Sequence, residues 1–157
     1  MMTEPMSKSC HHPAGDLAVS RPSLLAGLFC LLAVCGACSD SDACVEVTAD
    51  CVPLYQPTFE NVFTNTLVAK CGVAGSACHA REGARAGLIF ADIDQAHDLL
   101  TGSGGAAARV DSESLGCGVL LARVAADDPA RVMPPGNKLM DSEICAIATW
   151  IEMGARR

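Results

Sequence analysis

Ten cysteines in 157 residues constrain this chain more than any other feature, because such a chain folds differently according to whether its thiols pair, hold a cofactor or stay reduced. Where they fall decides how they are read. Cys10, Cys30, Cys35 and Cys38 lie in the first 38 residues, inside or ahead of "RPSLLAGLFCLLAVCGACSD". That stretch has the layout of an export signal: charged Arg21, an apolar run over residues 24–34, then small residues ahead of Cys38. The run is too short to span a membrane. In an oxidising compartment the cysteines beyond it, Cys44, Cys51, Cys71, Cys78, Cys117 and Cys145, pair unless a cofactor claims them.

The "CGAC" that closes this stretch resembles the lipobox of bacterial lipoproteins, in which the cysteine after a small residue is lipidated and becomes the new N-terminus. The resemblance implies a signal peptide over residues 1–37 and a lipid anchor at Cys38, with Cys35 as the alternative. It also implies an exported chain on the periplasmic face or outer membrane, and Ser39 after the anchor points to the outer membrane. A plain secretory signal and an uncleaved hydrophobic helix are the competing readings.

Charge and bulk narrow the function classes. Lys8, Arg21, Glu4 and Asp16 cancel within the leader, so the exported part keeps the net charge of −7. Binding of nucleic acid or anionic lipid through bulk charge is therefore disfavoured. Half the chain is apolar, yet it holds only four Phe, one Trp and one Tyr. A domain of this size then needs disulfides, a cofactor or both to supplement its core.

Residues 38–57 read as a tether or covering segment, rich in acids and turn formers. Cys44 and Cys51 lie within it and either pair locally or reach a cysteine of the domain. Beyond it the periodicity predicts an all-α domain over residues 58–157. Thr58 caps a first helix over residues 59–69, with Phe59, Val62, Phe63 and Leu67 on one face. A short helix over residues 93–100 ends at Gly102. A third starts at Ser112 or Ser114 and runs through Val124, although Gly116 and Gly118 disfavour it. Pro129, Pro134 and Pro135 make the following stretch irregular. A last helix runs from Asp141 or Ser142 to Met153, with Ile144, Ile147, Ala148 and Ile151 on one face and Gly154 as its stop.

The chemistry-bearing stretch is "CGVAGSACHA", residues 71–80, which ends in a Cys-His pair. Covalent haem sites end the same way, but with two residues between the cysteines where this chain has "GVAGSA". All six are small, and widening such a loop from two to six costs about 1 kcal/mol in closure entropy. The alternative is a disulfide closing the loop, worth roughly 2.5 kcal/mol. A metal site built on Cys71, Cys78 and His79 is a third option, with poor spacing for zinc.

Further along come "GLIF" at residues 87–90, "LLARVAADDPARVMPPG" at residues 120–136 and "SEICAIATWIEMGA" at residues 142–155. Together with "CHA" these resemble class I cytochromes c, and in particular the compact cytochrome c-like domains of exported planctomycete and myxobacterial proteins. The resemblance spans residues 58–157 and implies about four helices around a haem pocket. It implies covalent haem c on Cys71 and Cys78, with iron held by His79 on one side and Met133 on the other. Leu88, Phe90, Leu100, Leu120 and Trp150 are the expected apolar pocket. Arg123 and Arg131 stand as candidates to approach the carboxylates of the group, with solvated surface as the plainer account. The family's packing also implies a Cys117–Cys145 disulfide, and His97 is expected on the exposed face of its helix. The function implied is single-electron transfer with a redox protein partner, by a carrier and not an enzyme, attached to the membrane only through its lipid. The rival is a disulfide-stabilised structural or interaction lipoprotein that kept this scaffold without haem, and a haem or redox sensor is a third reading.

Overall fold

The computed structural model describes residues 44–76 and 78–157; the expected export signal and the expected lipid anchor at Cys38 lie outside the described residues. The described part is all-α, with four α-helices, a π-helix, two 3-10 turns and no strand. None of its helices is long and apolar enough to cross a membrane.

The first helix forms where its cap and apolar face predict. Thr58 accepts the Asn61 amide at 3.3 Å at the start of α1 (Phe59–Val62). From Phe63 the spiral widens into a π-helix, Phe63–Cys71, so the expected α-helix is α only over its first turn and ends on Cys71 itself. Asp92 caps α2 (Ile93–Thr101) by accepting the Gln95 amide at 2.9 Å, and Gly102 at φ 78° stops it. The third helix is shorter than its pattern suggested. A 3-10 turn, Leu115–Cys117, precedes α3 (Val119–Val124), and Gly118 between them is extended. The last helix is α4 (Asp141–Glu152), whose Glu143 side chain accepts the Met140 amide at 3.0 Å; Gly154 at φ 91° follows it.

The core gathers the apolar faces of these helices. Phe59, Leu67, Leu100, Leu121, Ile147, Trp150 and Ile151 are all but inaccessible. The Phe59 ring packs on Trp150 at 5.0 Å and edge-on to His97 at 4.9 Å between centroids. His97 is therefore half-buried and not exposed as expected: its Nε2 meets the Ala155 carbonyl at 2.8 Å and fastens the chain end to α2.

The disulfides correct the expected pairing. Cys44 bonds Cys117 and Cys51 bonds Cys145, in place of a local Cys44–Cys51 loop and a Cys117–Cys145 bridge. The cause is the course of residues 44–57, which lie against the domain as a strap. The Val45 amide donates to the Gly116 carbonyl at 3.0 Å and the Leu54 amide to the Ser142 carbonyl at 2.9 Å, which brings each strap cysteine to a different element. A Cβ on Gly116 would lie 1.8 Å from the Val45 carbonyl oxygen, so only glycine admits the strap so close.

Candidate functional site

The π-helix delivers Cys71 to the site, and three backbone hydrogen bonds frame the segment between Cys71 and Phe90. The His79 amide donates to the Cys71 carbonyl at 3.2 Å, the Phe90 amide to the His79 carbonyl at 2.8 Å, and the Arg85 amide to the Cys78 carbonyl at 3.0 Å. Gly72 is pressed on Phe90, where a Cβ would approach the Phe90 Cβ and carbonyl oxygen to 2.8 Å.

His79 is buried, with 9% of its surface exposed, and its ring faces Phe90 at 5.4 Å between centroids. Its Nδ1 lies 3.2 Å from the Leu88 carbonyl oxygen. A carbonyl can only accept, so Nδ1 carries the proton and Nε2 keeps its lone pair in the neutral ring. This is how imidazole ligands are commonly oriented for a metal: one nitrogen is fixed by a carbonyl, the other left to coordinate.

Met133 is half-buried in the Pro-rich stretch, its amide donating to the Arg123 carbonyl at the end of α3 at 3.1 Å. Two proline rings follow it directly and restrict the backbone there.

Two adjoining cavities bring these residues together. One, of about 210 Å³, is lined by Leu88, Phe90, Leu100, Leu120 and Val124 among others; the second, of about 310 Å³, by Lys70, Cys78, Arg85, Pro134 and Pro135. Cys71, His79 and Met133 line both. Together the cavities reach the range of cofactor sites, roughly 300–1,000 Å³. Of the expected pocket residues only Trp150 is absent from the walls; it belongs to the Phe59 stack in the core. Arg123 lines the smaller cavity, whereas Arg131 lines neither. Sequence reasoning missed Arg85, which opens the 3-10 turn Arg85–Gly87, and Arg109, which lies in a loop; no periodicity assigns either of them a face.

The thiols of the Cys…CysHis stretch are free although the other four described cysteines are all paired. Cys78 is exposed and Cys71 half-buried. Burial, then the neighbouring Cys78 and Glu143, push the Cys71 thiol up from 9.0 to about 11, against the lowering influence of Lys70. Lys70 is held by Glu143, whose 2%-exposed carboxylate receives its Nζ at 2.8 Å.

Among the described residues no three His, Cys, Asp or Glu side chains converge on an ion. The donor set instead suits a flat apolar group: two sulfurs free to form thioethers, an imidazole with an available lone pair, a thioether sulfur and apolar walls. These residues fit a covalently held haem. Comparison with protein-family models, curated proteins and solved structures gave no match, so the chemistry rests on the residues themselves.

Proposed function

We propose that this chain is an exported, lipid-anchored monohaem c-type cytochrome domain of the class I type, and that it carries single electrons without catalysing bond chemistry. The observation that carries the reading is the division of the cysteines. Among the described residues the four cysteines outside the Cys…CysHis stretch pair with one another, while Cys71 and Cys78 stay as thiols beside His79 and Met133 in one cavity.

In this reading Cys71 and Cys78 would hold the haem through thioether bonds, and His79 and Met133 would ligate its iron. The haem supplies the one-electron couple when bound. The chain's residues do the rest. The Leu88 carbonyl holds the His79 ring in the tautomer that presents Nε2. Leu88, Phe90, Leu100 and Leu120 keep water from the site. Pro134 and Pro135 limit movement of Met133, so that a change of charge at the site need not be followed by a large rearrangement. Cys38 is the proposed lipid anchor, at the periplasmic face or outer membrane, and the partner is a redox protein.

The test is to export the chain together with a cytochrome maturation system. A Soret band and a mass increased by one haem are expected. A protein with no Soret band and a mass corresponding to three disulfides sinks the reading in favour of the haem-free structural lipoprotein. In the loaded protein Met133→Ala should change the axial-ligation spectrum, and an unchanged spectrum removes Met133 from the iron. A Cys38→Ser chain that remains acylated and membrane-bound refutes the anchor.

A further inference from the structure

Lys70, Arg85, Arg109 and Arg123 line the two cavities, and no Asp or Glu does. In a chain with 18 acidic residues against 11 Lys and Arg, that is the reverse of what composition supplies. Lys70 has Glu143 as its counter-ion. Arg109 is different: its guanidinium donates from one terminal nitrogen to the Leu99 carbonyl at 2.7 Å and from the other to the Ala86 carbonyl at 2.9 Å. Both partners are neutral, so among the described residues this half-buried charge meets no carboxylate. Charges withdrawn from water are ordinarily paired, and an arginine held rigidly by two carbonyls is already oriented to receive an anion.

We infer that Arg109 is a specificity residue that receives a carboxylate of the bound group, so that the site selects an apolar macrocycle with acidic substituents and orients that edge towards Arg109, at the cavity Cys78 does not line. The inference rests on the haem reading and refines it. Arg123 lines the same cavity. Arg109 does not touch the iron, so its part is to set which way round the macrocycle enters and to disfavour neutral ones.

The experiment uses the full chain produced without a maturation system and two iron-free probes, mesoporphyrin and its dimethyl ester. The probes share one apolar body and differ only in their carboxylates, and iron ligation contributes to neither. Binding is read from quenching of Trp150, the sole tryptophan. The free acid is expected to bind at least about tenfold more tightly than the ester. Arg109→Gln should abolish that preference, leaving the ester's affinity within about threefold of its original value, and Arg109→Lys should restore part of it. Equal affinities for acid and ester in the unaltered chain overturn the inference and leave the haem reading standing. So does a preference that survives Arg109→Gln. Failure of both probes to bind also overturns the inference, and leaves the haem reading to the maturation test, because thioether bonds and iron ligation contribute to neither probe. The acid-to-ester comparison needs no variant, so a destabilised Arg109→Gln chain does not protect the proposal.

Discussion

The His79 amide donates to the Cys71 carbonyl at 3.2 Å, across the six residues that separate the two cysteines. With two residues between them, His79 would fall four positions after Cys71, and this bond would be the ordinary i→i−4 hydrogen bond of an α-helix. The chain therefore keeps a helix-like junction and extrudes the surplus as a loop, turned by the Ser76 amide donating to the Val73 carbonyl at 3.0 Å and by Gly75 at φ 77°. Deleting residues 73–76, which leaves Cys-Gly-Ala-Cys-His, should preserve the fold. If the site takes haem, covalent loading should stay within about twofold of the original, since closure of the shorter loop costs about 1 kcal/mol less. The Soret absorbance per mole of protein checks this; loss of loading on deletion would mean that the extra residues are required.

Disulfide topology offers a second check. Mass analysis of non-reduced digests should find Cys44 with Cys117 and Cys51 with Cys145, and one peptide pair joining Cys117 to Cys145 would contradict the strap. The bonds close stretches of 73 and 94 residues, each worth about 4.5 kcal/mol in loop-closure entropy. The two loops interleave, so their contributions add incompletely. Cys51→Ser with Cys145→Ser should lower the melting temperature by at least about 10 °C.

Glu143 joins α4 to the residue before Cys71. Glu143→Gln removes the charge that Lys70 meets but keeps an acceptor for the Met140 amide, and Glu143→Ala removes both. The alanine variant should cost more, about 2–3 kcal/mol against about 1–2 for glutamine, with Lys70 33% exposed and able to turn to solvent. Urea unfolding of the two variants measures the difference.

What the sequence made legible was local. Thr58 is a helix cap and Gly102 and Gly154 are helix stops because their side chains, or the lack of one, act within a turn of where they stand. The apolar faces of α1 and α4 followed from spacing alone. The disulfide partners did not, since they depend on where a strap without periodicity lies, and that is fixed by two backbone hydrogen bonds to distant elements. The π-helical turn carries no compositional mark. At the site, Cys71, His79 and Met133 were legible as a motif and do line common cavities. Arg109 was not, because its place depends on carbonyls at Ala86 and Leu99 in other segments.

The Cys71 thiol gives the haem-free chain a dependence on alkaline pH. Its folded value near 11 lies above the ordinary 9.0, chiefly through burial. Between these values the unfolded chain has released the proton and the folded chain still holds it, so stability falls as pH rises through that window and is unaffected by Cys71 below it. The melting temperature should decline from pH 9 to 11 more steeply than in a Cys71→Ala variant. Parallel declines would show that Cys71 is not protected.

The strap is most sensitive at Gly116. A methyl group there would stand 1.8 Å from the Val45 carbonyl oxygen, and backbone, unlike a long side chain, cannot move aside without carrying its neighbours. Cys44 precedes Val45 and Cys117 follows Gly116, so any movement that relieves the clash also separates the residues flanking the Cys44–Cys117 bond. Gly116→Ala should therefore destabilise the chain by more than about 2 kcal/mol, well beyond the change in helix propensity, which alone would favour alanine. It should also expose the Cys44–Cys117 bond to faster reduction by a dithiol while Cys51–Cys145, held by buried Cys145, responds less. Timed reduction followed by alkylation and mass analysis separates the two bonds. Gly116→Ala with unaltered stability and reduction rate would mean that the strap does not lie on Gly116 in solution.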